Sequence, residues 1–126
     1  MSRSSKAAHY GALAEKVARE RYDLEAAHDS WHDAVTDDGR PVEVKAAMLN
    51  RARGVPRFRI FERYHRRLVR ESGLYVFVAY RAAGRGIQPR AVRSLEASSL
   101  NVSSWYGAGG HRESQQVKLP VSSVFK

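Results

Sequence analysis

Asp33, Glu43 and Lys45 are of the types, and at the spacing, to hold a hard metal ion beside a phosphate. They belong to Trp-His-Asp-Ala-Val-Thr-Asp-Asp-Gly-Arg-Pro-Val-Glu-Val-Lys-Ala-Ala, residues 31–47, which reads as a β-hairpin. Asp37-Asp38-Gly39 supplies the turn: Gly39 can take the left-handed conformation that closes a short loop, and Val35, Val42 and Val44 favour the flanking strands. If Thr36 pairs with Arg40, the ladder continues Val35 to Pro41, Ala34 to Val42 and Asp33 to Glu43. The two carboxylates then share a face, roughly 5 Å apart at Cβ. Alternation puts Lys45 on that face too, while Val44 points away and leaves its carbonyl near the carboxylates.

Two like charges held so close destabilise each other unless a cation or a proton lies between them. Hard oxygen ligands suit Mg²⁺, which takes one or two carboxylates and keeps its other positions for water and phosphate. The plainer alternative is a solvated charge cluster on a surface hairpin, since a lone Glu-x-Lys arises often by chance in so charged a chain. The opposed Asp33, the turn and the Ala46-Ala47 exit toward a core make the cluster more specific than its tripeptide.

Asp33, nine residues, then Glu43-Val44-Lys45 resembles the PD-(D/E)XK nuclease superfamily, whose restriction-endonuclease-like fold is shared by archaeal Holliday junction resolvases. His32 stands where the name-giving proline would be. The resemblance implies an α/β fold, a mixed β-sheet with a central hairpin flanked by helices, over a single domain, 1–126. It implies metal-dependent hydrolysis of a nucleic-acid phosphodiester. Asp33, Glu43 and the Val44 carbonyl would hold Mg²⁺ or Mn²⁺, and Lys45 would orient the attacking water and help deprotonate it. Glu15, in Gly-Ala-Leu-Ala-Glu, matches an acid that the family often carries on the helix before the hairpin. The small size and element order resemble a junction resolvase most, which implies branched DNA as substrate and a homodimer.

The elements that must position these residues follow from the rest of the chain. Its 126 residues suffice for one core. A net charge of +9 points to a polyanionic partner, nucleic acid or an anionic membrane surface. Nucleic acid is favoured, because no apolar run approaches a membrane span and Met-Ser-Arg-Ser-Ser-Lys lacks the apolar core of a secretory signal. The expectation is a cytoplasmic, nucleoid-associated protein. The absence of cysteine excludes disulfides, thiol nucleophiles and Cys-ligated zinc.

A first helix, capped by Ser4 or Ser5 and ending near Arg21 or Tyr22, carries Tyr10, Leu13, Ala14, Val17 and Ala18 as its apolar stripe. Glu15 lies beside that stripe, able to face the hairpin or to pair with Arg19. Residues 22–30 join this helix to the first strand, with Asp23, Glu25 and Asp29 solvated. No two of the five histidines have a zinc spacing, and His32 alternates away from Asp33 into a packing role. Residues 48–56 read as a loop bearing Arg51 and Arg53. Residues 57–72 read as a helix with Phe58, Phe61, Tyr64, His65, Leu68 and Val69 inward and Gly73 as its stop. Its other face is arginine: Arg59, Arg63, Arg66, Arg67 and Arg70, offset only by Glu62 and Glu71, a positive stripe that with Arg57 is expected to bind phosphodiester oxygens through its guanidinium groups.

Residues 74–80 are nearly all strand formers without strict alternation, the pattern of a central strand covered on both faces. Residues 81–89 read as a connection and 90–100 as a short helix. Residues 101–116 read as a glycine-rich loop, either a connector whose aromatics are anchored in the core, the favoured reading, or a flap touching DNA through Trp105, Tyr106 and Arg112. Residues 117–121 read as a last strand, which Pro120 restricts to an edge or a bulge. The competing functional class is a non-enzymatic basic nucleic-acid-binding protein in which Asp33, Glu43 and Lys45 are structural. A membrane-surface role for the arginine helix is a distant third.

Overall fold

The computed structural model describes residues 3–27, 31–102, 104–108 and 111–125. Helix α1 (Arg3–Tyr22) buries Tyr10, Ala14 and Ala18, with Leu13 and Val17 beside them, as the stripe predicts. It includes Ser4 and Ser5, so its start lies ahead of the expected cap. Asp23 ends it in the left-handed conformation (φ +54°), and the Leu24 N–H returns to the Arg19 carbonyl at 2.9 Å. That pattern satisfies a carbonyl the last turn would otherwise leave open. The segment after it is not only a connection: strand β1 (Glu25–Ala26) pairs with the hairpin's first strand. Asp29 lies outside the described residues.

The hairpin has the register read from its turn for two pairs, but the expected third, Asp33 to Glu43, is not part of the ladder. Strand β2 (Ala34–Val35) pairs antiparallel with β3 (Pro41–Met48) through Ala34 to Val42 and Val35 to Pro41. The Thr36 N–H donates to the Arg40 carbonyl at 3.0 Å, and Gly39 takes φ +85°. Strand β5 (Leu74–Ala83) lies parallel to β3, and β6 (Gly86–Glu96) lies antiparallel to β5, giving the mixed sheet β1-β2-β3-β5-β6. This is the α/β, restriction-endonuclease-like sheet with a central hairpin flanked by helices. Strand β5 is buried on both faces. Val76 and Val78 join Val42 and Val44 beneath α1, while Tyr75 and Phe77 point into a second cluster with Phe58, Ile60 and Leu68. Each such fully buried large side chain contributes about 1.5–3 kcal/mol.

Three expectations fail here. Residues 57–72 are not one helix. Arg57–Phe61 is strand β4, and only Glu62–Arg70 is helix α2. Arg57, Phe58, Arg59 and Ile60 alternate exposed, buried, exposed, buried, so the period is 2. The helix stop also differs: Ser72, not Gly73, takes the left-handed conformation (φ +56°). Gly73 serves close approach instead, since a Cβ there would lie 2.5 Å from Leu68 Cδ1 and 2.8 Å from the Pro41 carbonyl oxygen. Residues 90–100 are not a helix but the far part of β6 followed by a 3₁₀ turn at Ala97–Ser99, because pairing along β5 outweighs weak local helix preference.

The tail builds a second sheet that the sequence reading omits. Strand β7 (Tyr106–Ala108) pairs with β8 (His111–Pro120), and β8 with β4, in the order β4-β8-β7. Strand β7 reaches only to Gln116, so Pro120 lies where β8 has β4 on one side alone, the edge position expected of it, and the short helix α3 (Val121–Val124) follows. Residues 101–116 are therefore not the expected loop, since most of the segment is strand; Trp105 is anchored against the second core cluster as the connector reading had it, and Tyr106 is 45% exposed. Gly109 and Gly110, and the side chains of His111 and Arg112, lie outside the described residues.

Candidate active site

The site forms where β2 leaves β3. Beyond Ala34 the ladder stops, and Asp33 reaches across the opened edge: its N–H donates to the Val42 carbonyl at 2.8 Å, and its Oδ2 accepts the Val44 N–H at 2.8 Å. One side chain thus takes over a ladder bond and is held at both ends. The N–H and C=O of a strand residue leave on the same edge, so the Val44 carbonyl also faces Asp33. Glu15 of α1 looks into the same gap rather than only at Arg19. Together Glu15, Asp33, Glu43, Val44, Lys45 and Tyr80 line a cleft of about 350 Å³, and the small side of α1, Ala7 and Gly11, leaves it open.

The carboxylates are in conflict, as their opposition predicts. Burial, then a hydrogen bond with Asp33, pushes the Glu43 carboxyl up to about 9; the Lys45 charge pulls it back only in part. Burial and the Asp33 charge also raise Glu15, against Arg19. Among the described residues no group of three His, Cys, Asp or Glu side chains forms a ready-made ion cage. The acids instead crowd one another, and the proximity of Asp33 helps to raise both Glu43 and Glu15. Shared protons are one of the two ways to relieve such crowding, and a divalent cation is the other. Three carboxyl groups and a strand carbonyl at one edge are hard oxygen donors, which fit Mg²⁺ or Mn²⁺.

Lys45 projects along the same strand with its Nζ 5.9 Å from the centroid of the Phe61 ring. Beside Glu43, in register on the parallel strand, lies Tyr75. Burial and the nearby Glu43 charge hold its phenol well above the usual range, and its hydroxyl meets His65 Nδ1 at 2.8 Å. Neither Tyr75 nor Phe61 is marked as a site neighbour by the sequence, because parallel pairing across a crossover leaves no local trace. His32 is buried against Trp31, the packing role its alternation predicts.

A family model for the PD-(D/E)XK nuclease superfamily domain matches residues 1–126. The chain belongs to this superfamily. No curated protein and no solved structure matches it. Membership in a PD-(D/E)XK family carries the coarse activity of a metal-dependent nuclease. No helix among the described residues is long and apolar enough to cross a membrane.

The basic residues of this PD-(D/E)XK domain are sorted by the fold in a way the arginine stripe does not anticipate. Arg51 and Arg57 line a groove of about 440 Å³ with Lys6, and this groove shares Ala7, Ala46 and Tyr80 with the carboxylate cleft. Arg59 lies on the outward face of β4 beside Arg57 and pairs in register with Lys118. The helical arginines divide. Arg67 stacks over Trp31 at 4.2 Å, next to the hairpin, whereas Arg66 is bound to Glu62 at 2.7 Å, and Arg66 and Arg70 line a separate pocket with His65 and Trp105. Arg53 and Arg63 are exposed. Lys6, at the groove, carries no sequence signal beyond its charge.

Proposed function

We propose that this PD-(D/E)XK domain is a metal-dependent endonuclease that hydrolyses DNA phosphodiester bonds. The observation that carries the reading is a basic groove (Lys6, Arg51, Arg57) adjoining the cleft of Glu15, Asp33, Glu43 and Lys45, with Ala7, Ala46 and Tyr80 lining both. The groove has the charge to seat a DNA backbone, and the cleft has the acids to work on one phosphate in it.

Asp33, Glu43 and the Val44 carbonyl hold the divalent ion, Mg²⁺ or Mn²⁺, with Glu15 as a further ligand. When bound, the ion lowers the pKa of water at the site and stabilises charge on the phosphate. Lys45 orients the attacking water and, as a positive charge, supports the charge that builds on the phosphate in the transition state. Asp33 fixes the geometry by its bond to the Val44 N–H. Arg51, Arg53, Arg57, Arg59, Arg63 and Arg67 give affinity for the backbone without reading bases, with Arg51 and Arg57 in the groove itself, while Arg66 and Arg70 face a separate pocket and add little.

The finer reading is branched DNA inside the cell, a four-way junction cut by a homodimer that makes paired nicks. It rests on the small size of the domain and on its basic surface. The test is cleavage of a labelled four-way junction beside a matched linear duplex, with Mg²⁺, with EDTA, and with Glu43→Ala. Symmetric Mg²⁺-dependent nicks at the junction alone, lost in Glu43→Ala, are expected. Cleavage of the duplex as well removes the junction reading and keeps the nuclease. Tight binding with no cleavage under any divalent metal leaves the non-enzymatic binding protein.

A further inference from the structure

We propose that Tyr80 holds the DNA strand where it passes from the basic groove into the carboxylate cleft, its hydroxyl donating to a non-bridging phosphate oxygen beside the bond to be cut. The proposal rests on the nuclease reading above and adds a substrate-binding residue to it. Tyr80 lies in β5, where its backbone carbonyl accepts the Leu49 N–H at 2.7 Å and its side chain joins the core cluster beneath α1. There its ring packs against Tyr10 with centroids 6.0 Å apart, and the residue is only 6% exposed.

A buried tyrosine ordinarily gives its hydroxyl a partner. Tyr10 does so: its hydroxyl donates to the Gly84 carbonyl at 2.8 Å. Tyr80 does not. Among the described residues its hydroxyl meets no protein group, yet it is not an atom sealed in the core without a partner. The space it reaches is the pair of cavities that Tyr80 lines, the carboxylate cleft of about 350 Å³ and the groove of about 440 Å³. Ala7, Ala46 and Tyr80 are the described residues common to both, so Tyr80 carries the one polar side-chain atom on their shared wall. A single donor between the cations of the groove and the acids of the cleft suits an anion that extends through both, which is a phosphodiester chain. Burial, then Tyr10, raises the phenol above its ordinary value, so it keeps the proton it donates.

The test compares wild-type chain, Tyr80→Phe and Tyr10→Phe. In EDTA, binding to a labelled duplex is followed by fluorescence anisotropy over a range of salt. Tyr80→Phe should bind about tenfold more weakly, the worth of one hydrogen bond to a charged group, with its salt slope unchanged because a phenol displaces no counterion. Its Tm should stay at the wild-type value, since no hydrogen bond within the fold is lost. Tyr10→Phe, which loses one, should melt lower and bind as wild type does. With Mg²⁺, duplex carrying sparse phosphate ethylation is cut and the products mapped, so that each cut sets its own register. Ethylation of one phosphate beside the cut should suppress cleavage by wild-type chain and lose most of that effect in Tyr80→Phe, while other positions keep theirs. Wild-type affinity in Tyr80→Phe, an altered salt slope, a Tm lowered as in Tyr10→Phe, or an interference pattern identical to wild type overturns the proposal. If wild-type chain cuts no DNA with any divalent metal, the nuclease reading fails on its own, and the binding arm still decides whether Tyr80 holds a phosphate.

Discussion

Glu43→Gln should flatten the dependence of stability on pH. In the fold this carboxyl is raised from 4.5 to about 9, chiefly by burial. The folded state therefore holds its proton more tightly than the unfolded chain does. Its contribution to stability is fully present below the unfolded value and is lost as pH rises through the folded one. Between the two values the slope is at most about 1.4 kcal/mol per pH unit, an upper bound because Asp33 and Glu15 share the protons. From about pH 7 to about pH 8.5 the fold therefore loses at most roughly 2 kcal/mol. For a chain of this length that is a fall in Tm on the order of 8 °C. His65, whose burial lowers its pKa, titrates below this window and does not contribute. The substituted side chain keeps a hydrogen-bonding amide and has no proton to lose, so the variant's Tm should move far less over the same interval. Saturating Mg²⁺ binds the ionised acids and should remove the wild-type slope while leaving the variant unchanged. Thermal unfolding followed by circular dichroism, in EDTA and in Mg²⁺ across that range, measures all four slopes. Equal slopes for wild type and Glu43→Gln in EDTA refute the assignment of the buried proton to this site.

Three other outcomes follow from the same geometry. Asp33→Ala leaves the Val44 N–H without its acceptor at a buried position and should cost about 1–3 kcal/mol in urea unfolding at fixed pH, whereas Asp33→Asn, which keeps an acceptor oxygen, should cost much less. Gly73→Ala must displace Leu68 or the Pro41 backbone, and about 1–3 kcal/mol of overpacking is expected in the same assay. Arg57→Ala should lower the salt dependence of DNA binding by about one phosphate contact, and Arg66→Ala, already paired with Glu62 away from the groove, should leave that slope near wild type.

The catalytic half of the fold was legible because its determinants are local. Gly39 and Thr36 set a turn, the turn sets the ladder, and the ladder sets which side chains share a face, so the meeting of Asp33 with Glu43 needed no knowledge of the rest of the chain. The face of Glu15 was legible only as an even choice, since the stripe of α1 places it at the boundary and the burial of the Asp33 gap decides between hairpin and Arg19. The second sheet was not legible. Arg57 to Phe61 is too short to separate a period of 2 from one of 3.6 while a true helix follows it without a break, and β8 owes its length to partners on both sides rather than to its own polar sequence.

The division of that segment matters for function. Read as one helix, the arginines form a single stripe remote from the acids. Divided into β4 and α2, Arg57 and Arg59 come onto a strand whose last residue, Phe61, faces the Lys45 ammonium, while Arg66 and Arg70 turn to another pocket. The strand-to-helix joint is therefore what brings positive charge to the groove beside the carboxylate cleft and the Phe61 ring to Lys45. A one-residue slip in that joint would move Phe61 to the inward face and Ile60 to the outward one, because successive strand residues point to opposite sides. The buried position of Ile60 and Phe58 holds the register, so the packing of the second core and the approach to the first site are fixed by the same alternation.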